Sequence, residues 1–184
     1  MIGWYWQRIL KLIKIKKESS FRPTSSKVKE ALFEILGSLN ECFILDLFGG
    51  SGSIAFEALK RGAKGAVVVE KDIKRYKNIV AASQKLESNK LEIYNNCAFR
   101  ALKILAKRGR KFNFIFIDPP YEKGLALKVL ESSELGTILS DGGLLVVEHS
   151  KREMRWECGK ILGNLELSKV KEYGGTILSF FRIK

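Results

Sequence analysis

Histidine, proline and cysteine are scarce: 184 residues hold one His, three Pro and three Cys. Cys42, Cys97 and Cys158 are odd in number and far apart, with no C-x-x-C pair. That excludes a disulfide frame and a cysteine zinc site, and it fits a reducing, cytoplasmic setting. The lone His149 offers no partner imidazole for a metal, and its place at a strand end reads as structural. No apolar run reaches the ~20 residues needed to span a bilayer. The N-terminus is basic, with Trp4, Tyr5 and Trp6 among its first six residues, but it lacks the apolar core and cleavage site of a signal peptide. Acids are also few. Twenty Asp and Glu face 33 Lys and Arg, a net charge of +13. Such an excess suits a polyanionic partner, most simply nucleic acid.

Neither a repeat nor a low-complexity linker interrupts the chain, and its length suits one domain. Apolar residues make up 46%, enough for a proper core. Residues 1–20 mix Lys and Arg with aromatics, which suits a small hairpin-like extension able to meet RNA backbone and unpaired bases. Residues 21–184 read as the main body. Val28, Ala31, Leu32, Ile35 and Leu36 recur at helical spacing after a Ser25 or Ser26 cap, and Gly37 ends the helix. Strands then alternate with helices. The strands fall at Phe43–Phe48, Ala66–Glu70, Leu91–Asn95, Phe112–Ile117 and Gly143–Glu148, and a final pair flanks Tyr173-Gly174-Gly175. The helices fall at Ile54–Arg61, Ile73–Leu86, Phe99–Ala106 and over 123–139. This alternation predicts an α/β fold: a seven-stranded, mostly parallel Rossmann-like sheet with an antiparallel C-terminal hairpin.

The most informative stretch is Phe114-Ile115-Phe116-Ile117-Asp118-Pro119-Pro120-Tyr121. Four consecutive apolar residues predict a strand buried on both faces. Two prolines then end its ladder. The polar cluster therefore falls at the carboxyl end of a central strand, where open α/β sheets bind ligands. An exocyclic amino group on a base is a poor nucleophile, because its lone pair is delocalised into the ring. Acceptors on its two hydrogens, the Asp118 carboxylate and the Pro119 carbonyl, would free that lone pair. The prolines would hold both acceptors in place. Tyr121 offers a flat face for an extruded base. The competing reading is a tight turn with an Asp cap and a buried Tyr.

A second cluster is Asp46-Leu47-Phe48-Gly49-Gly50-Ser51-Gly52, between the first strand and its helix. Its glycines allow close approach of a ligand to the backbone. Glu70 ends the next strand, about twenty residues on, where an acid commonly takes ribose hydroxyls. The turn lacks the Lys-Ser/Thr of a P-loop and the G-x-G-x-x-G spacing. An acid at position 46 would repel a pyrophosphate and attract an ammonium. S-adenosylmethionine carries an ammonium, a sulfonium and a ribose, and no phosphate.

Together these motifs resemble the bacterial RsmD-type enzymes, which methylate the N2 amino group of a guanine in small-subunit (16S) ribosomal RNA. The resemblance also takes in Arg22-Pro23-Thr24, Val28-Lys29-Glu30-Ala31-Leu32-Phe33, Glu57-Ala58-Leu59, Arg61-Gly62-Ala63, Val69-Glu70-Lys71-Asp72, Val147-Glu148-His149 and Tyr173-Gly174 with Thr176. It implies a class I S-adenosyl-L-methionine-dependent methyltransferase. Its cofactor-binding residues would be Arg22, Thr24, Asp46, Phe48, Gly50, Gly52, Glu70, Lys71, Cys97 and Ala98, and its catalytic residues Asp118, Pro119, Pro120 and Tyr121. It implies ribosomal RNA or an assembling small subunit as partner, with no metal, no membrane, and a cytoplasmic monomer.

The chain departs from the family pattern in three places. Asn96-Cys97-Ala98 replaces Gly-Asp-Ala after the third strand, which predicts weaker cofactor binding or compensation by Asn96. Gly49 replaces an alanine, expected to be a mild change. The N-terminal Gly3-Trp4-Tyr5-Trp6-Gln7-Arg8-Ile9-Leu10 exchanges charge for aromatic surface. The basic run Arg100, Lys103, Lys107, Arg108, Arg110 and Lys111 reads as a solvated helix face and loop. Two other functions fit part of the pattern: methylation of DNA adenine N6 or cytosine N4, and a non-catalytic RNA-binding assembly role. A nicotinamide-dependent reductase lacks its glycine spacing.

Overall fold

The computed structural model describes residues 26–84, 89–121, 124–153 and 156–184. The proposed extension over 1–20, and with it Arg22 and Thr24, lies outside the described residues.

Helix α1 (Ser26–Leu36) buries Val28, Leu32 and Phe33 and ends at Gly37, whose N–H donates to the Phe33 carbonyl at 3.1 Å. Gly37 has a φ of +67°, the left-handed turn that glycine adopts without penalty. There follow β1 (Phe43–Asp46), α2 (Ser53–Lys60), β2 (Gly65–Glu70), α3 (Ile73–Ser83), β3 (Leu91–Asn95), α4 (Ala98–Lys107), β4 (Phe112–Ile117), α5 (Leu125–Leu130), α6 (Ser133–Ile138), β5 (Leu139–Ser150), β6 (Ile161–Leu162), β7 (Leu165–Tyr173) and β8 (Thr176–Ile183).

The strands form one sheet in the order β3-β2-β1-β4-β5-β8-β7-β6. Its first five strands are parallel, while β8 runs antiparallel to both β5 and β7. The sheet has eight strands instead of the seven expected. The extra one, β6, is a two-residue strand paired with β7, too short to leave a period in the sequence. Strand β5 also starts four residues earlier than expected. Leu139 pairs with Phe112, and an irregularity between Phe112 and Phe114 lets Asp141-Gly142 fall within the strand.

Helices cover both faces, which is why β2 and most of β4 are apolar at consecutive positions. One core gathers Leu45, Val67, Ile115, Leu145 and Phe181 under α4, α5 and α6. The other gathers Ile44, Val68, Phe114, Phe116, Val146 and Phe180 under α1, α2 and α3. Alternate residues of each strand enter opposite cores, as the period of two requires. The order reverses at β1: its neighbours are β2 and β4, and the crevice beyond their carboxyl ends is the natural ligand position.

A hollow of about 290 Å³ opens at the opposite, amino edge, lined by residues including Ile35, Leu39, Asn113, Asp141 and Arg182. The C-terminal end of α1 thus lies at the amino edge.

Candidate active site

Sheet register brings the two sequence clusters to one edge. Asp46 ends β1 opposite Val68 of β2 and Phe116 of β4. Glu70 lies two residues past Val68, and Asp118 two past Phe116. On β5, Val147 pairs with Ile117 and Glu148 follows. Carboxylates therefore sit at or near the carboxyl ends of four neighbouring strands, in the spatial order Glu70, Asp46, Asp118, Glu148.

Asp46 is 2% exposed. Burial, and next the charge of Glu70, push its carboxyl up to about 7; the Ala55 backbone N–H works against both. Such a group is poised to give up its proton when a cation is placed beside it.

Glu70 has a role that spacing alone could not reveal. One carboxylate oxygen accepts the Gly50 N–H at 2.8 Å and the other the Asp72 N–H at 2.7 Å. The acid locks the glycine turn to the end of β2 before any ribose is present. Each carboxylate oxygen can accept a second hydrogen bond, so its capacity for hydroxyl groups remains. Asn95, which the sequence reading passed over, fixes the same corner from β3: its side-chain amide donates to the carbonyls of Glu70 at 2.9 Å and Lys71 at 3.2 Å.

The glycine turn is tight. Gly49 donates to the Val69 carbonyl at 2.8 Å and accepts from Gly52 at 2.6 Å. Gly50 and Gly52 have φ of +56° and +75°. Gly49 is different: a Cβ there would sit 2.2 Å from Cγ1 of Val68. The exchange of alanine for glycine at this position is therefore not mild. It is matched to Val68, and alanine would require Val68 to move. Phe48 is partly buried against the core under α4.

Cys97 is exposed and precedes α4 as its cap residue without a side-chain cap bond. The Asn96 side chain accepts the N–H of Cys97 at 3.0 Å, so it is engaged within its own loop. Ala98 is buried in the core. Lys71 is exposed beyond β2. Two apolar residues that the sequence reading did not single out flank this corner: Ile73, 51% exposed at the start of α3, and Phe99, 38% exposed at the start of α4. The signal available in the sequence was a large apolar residue in the first turn of each helix after adjacent strands.

Beyond β4, Asp118 is half-buried, Pro119 buried, Pro120 exposed and Tyr121 half-buried. The Tyr121 hydroxyl donates to Oε1 of Glu148 at 3.2 Å. Burial, then the charges of Glu148 and Asp118, push the phenol well above its usual range. Tyr121 is thus favoured as a neutral hydrogen-bond donor.

Residues set aside as structural sit accordingly. His149 is 1% exposed, with Nε2 2.8 Å from the Ser179 hydroxyl and its ring 5.3 Å from Trp156. Burial lowers its tendency to charge. The basic run over α4 and the loop after it is less free than expected: Arg110 pairs with Glu92 at 2.8 Å, and Arg108 donates to the Tyr94 hydroxyl at 3.0 Å. Their partners come from β3, so the run alone could not show them. Among the described residues no cluster of His, Cys, Asp and Glu could hold a metal ion, and no helix is long and apolar enough to cross a membrane.

The donor set suits a phosphate-free cationic ligand with hydroxyl groups. A buried carboxyl would meet the cation, the bare glycine turn gives room, and Glu70 offers remaining acceptor capacity.

Comparison with known proteins agrees. A family model described as "Conserved hypothetical protein 95" matches residues 3–182. YlbH of Bacillus subtilis is 35% identical over 166 residues, 89% of each chain. Ribosomal RNA small subunit methyltransferase D of Escherichia coli K12 is 30% identical over 149 residues, 80% of this chain and 73% of that one. Among solved structures, the methyltransferase yhhF of Escherichia coli superposes with a TM-score of 0.76 at 26% identity, covering 92% of this chain and 91% of that chain. An RNA methyltransferase from Salinibacter ruber, in complex with S-adenosyl-L-homocysteine, shares the fold with a TM-score of 0.61 at 18% identity, covering 86% and 92%.

Proposed function

We propose that this chain, which belongs to the RsmD-type family, is an S-adenosylmethionine-dependent methyltransferase. Its target is the exocyclic N2 amino group of a guanine in small-subunit ribosomal RNA. The observation that carries the reading is the acidic carboxyl edge of the sheet. A protein of net charge +13 places Glu70, Asp46, Asp118 and Glu148 in one row there. Overall positive charge suits an RNA. A local negative edge suits a cationic cofactor and an amine that gains positive charge as it reacts.

In this assignment Asp46 meets the ammonium, Gly50 and Gly52 keep the turn open beside it, and Glu70 takes ribose hydroxyls. Phe48, Lys71, Cys97 and Ala98 border the same corner. Ile73 and Phe99 offer apolar surface to an adenine ring. The cofactor supplies a methyl group on positively charged sulfur. Asp118 and the Pro119 carbonyl hold the two hydrogens of the guanine amino group, and Pro119-Pro120 keep both acceptors from drifting. Tyr121 stacks on the base. The amino proton becomes acidic only as the new bond forms, so Asp118 or water takes it late. Holding amine and donor in line supplies much of the rate.

Residues 1–20, with Arg22 and Thr24, serve as the docking arm and the rim of the cofactor site, and 21–184 as the catalytic body. The protein works as a cytoplasmic monomer on ribosomal RNA, naked or within an assembling small subunit.

Nucleoside mass spectrometry of ribosomal RNA from a strain lacking this protein tests the reading. Loss of one N2-methylguanosine from small-subunit RNA is the expected result. An unchanged guanosine profile, with methyl transfer found instead on DNA adenine or cytosine, would overturn it.

A further inference from the structure

Glu148 is a buried acid two residues before the end of β5, 3% exposed, to which the assignment above gives no contact of its own. Burying a carboxylate is costly unless hydrogen bonds hold it. One contact it makes is informative, because it accepts the hydroxyl of Tyr121, the residue proposed to stack on the base. Thr176, buried at the start of β8, acts on the same phenol in the opposite sense, favouring its charged form. Glu148 pairs with Leu178, and Thr176 with Ser150, across the β5–β8 seam. The phenol is thus tied at its far end to β5, while the residue itself follows two prolines.

We propose that Glu148 is a positioning residue for base capture: by accepting the Tyr121 hydroxyl it fixes the plane of the ring before the guanine arrives. The inference rests on the function proposed above. An unanchored ring would choose among rotamers and lose that freedom on binding; an anchored one has lost it already, which favours the bound base.

The test is a double-mutant cycle on small-subunit RNA from the deletion strain, with labelled S-adenosylmethionine. Tyr121→Phe and Glu148→Ala should each lower kcat/KM for RNA by about tenfold, the scale of one hydrogen bond to a charged group. Most of that loss should appear in KM. The double variant should be no worse than either single one. Glu148→Gln, whose amide carbonyl can accept the same hydroxyl, should stay within about threefold of wild type. Cofactor affinity by calorimetry should be unchanged in all of them. Two results overturn the inference: losses that multiply in the double variant, or a Glu148→Gln defect as large as that of Glu148→Ala. If Glu148→Ala does not fold, Tyr121→Phe decides, and a loss under twofold sinks the proposal. A wild-type protein that methylates no RNA at all would instead remove the proposed function, a distinguishable failure.

Discussion

The two halves of the carboxyl edge are built differently. On the β2–β1 side, backbone N–H groups close the site: Gly50 and Asp72 donate to Glu70, and Gly49 to the Val69 carbonyl. On the β4–β5 side, a side chain meets a side chain: Tyr121 meets Glu148. A corner made from main chain is part of the fold, and changing it disturbs folding and binding together. A corner made from side chains can lose its chemistry while the sheet beneath stays intact. The two halves should therefore fail in different ways.

The largest effect is expected on the side-chain half. Asp118→Ala removes an acceptor for the amino group and should lower methyl transfer on the order of a thousandfold, the upper range for deleting one preorganised electrostatic partner. Cofactor affinity and melting temperature should barely change. Labelled-methyl incorporation alongside calorimetry checks this, and unchanged turnover would remove Asp118 from the reaction.

On the backbone half, Asp46→Asn should change binding and stability in opposite directions. The folded carboxyl is held at about 7 against an ordinary 3.8. Below pH 4 the group is protonated in both folded and unfolded chains, so it adds no pH dependence there. Between 4 and 7 the folded chain keeps its proton while the unfolded chain releases it, and stability falls as pH rises. Above 7 the full cost of the buried anion is present, roughly 2–4 kcal/mol. Asp46→Asn should therefore stabilise the ligand-free protein at pH 8, leave it unchanged near pH 4, and weaken cofactor binding at least about tenfold. Wild-type affinity for the cofactor should itself decline as pH drops from 8 to 6, because the ammonium then competes with a proton. Denaturant titrations and calorimetry across this range would show it; a flat profile would contradict the assigned cation site.

Gly49→Ala tests the fit between the turn and β2. The added methyl meets Val68, and overpacking of this kind costs about 1–3 kcal/mol. Adding Val68→Ala should recover part of the loss. Urea midpoints of the single and double variants decide, and an undisturbed single variant would show that Val68 yields freely. The smallest effect concerns the exposed Cys97. Cys97→Asp places a carboxylate beside the proposed adenine position and should tighten cofactor binding by about three- to tenfold. No gain would mean that this loop does not reach the adenine amino group.

Much of the cofactor half could be read in advance. Asp46, the glycine turn and Glu70 follow one another at a spacing set by a single strand–helix–strand unit, so their meeting is local. The second duty of Glu70, as the acceptor that locks Gly50, escaped notice because spacing shows which residues approach, not which atoms face. Gly49 was misjudged because its constraint is Val68, a neighbour in the sheet. The basic run over α4 and the following loop read as solvated because its partners Glu92 and Tyr94 reach it from β3. The strand β6 and the early start of β5 were missed because two-residue pairing and a bulged register leave no periodic trace.

By itself the sequence determined the α/β alternation, both motifs and the excess of positive charge. These follow from periodicity, turn chemistry and composition, which are properties of short stretches of chain. Only the tertiary structure decided that Glu148 would reach the Tyr121 phenol, that Glu70 would hold the glycine turn, and that four acids would share one edge. Sheet order and register fix those meetings. They bring together residues tens of positions apart, through packing of the whole core that no local pattern encodes.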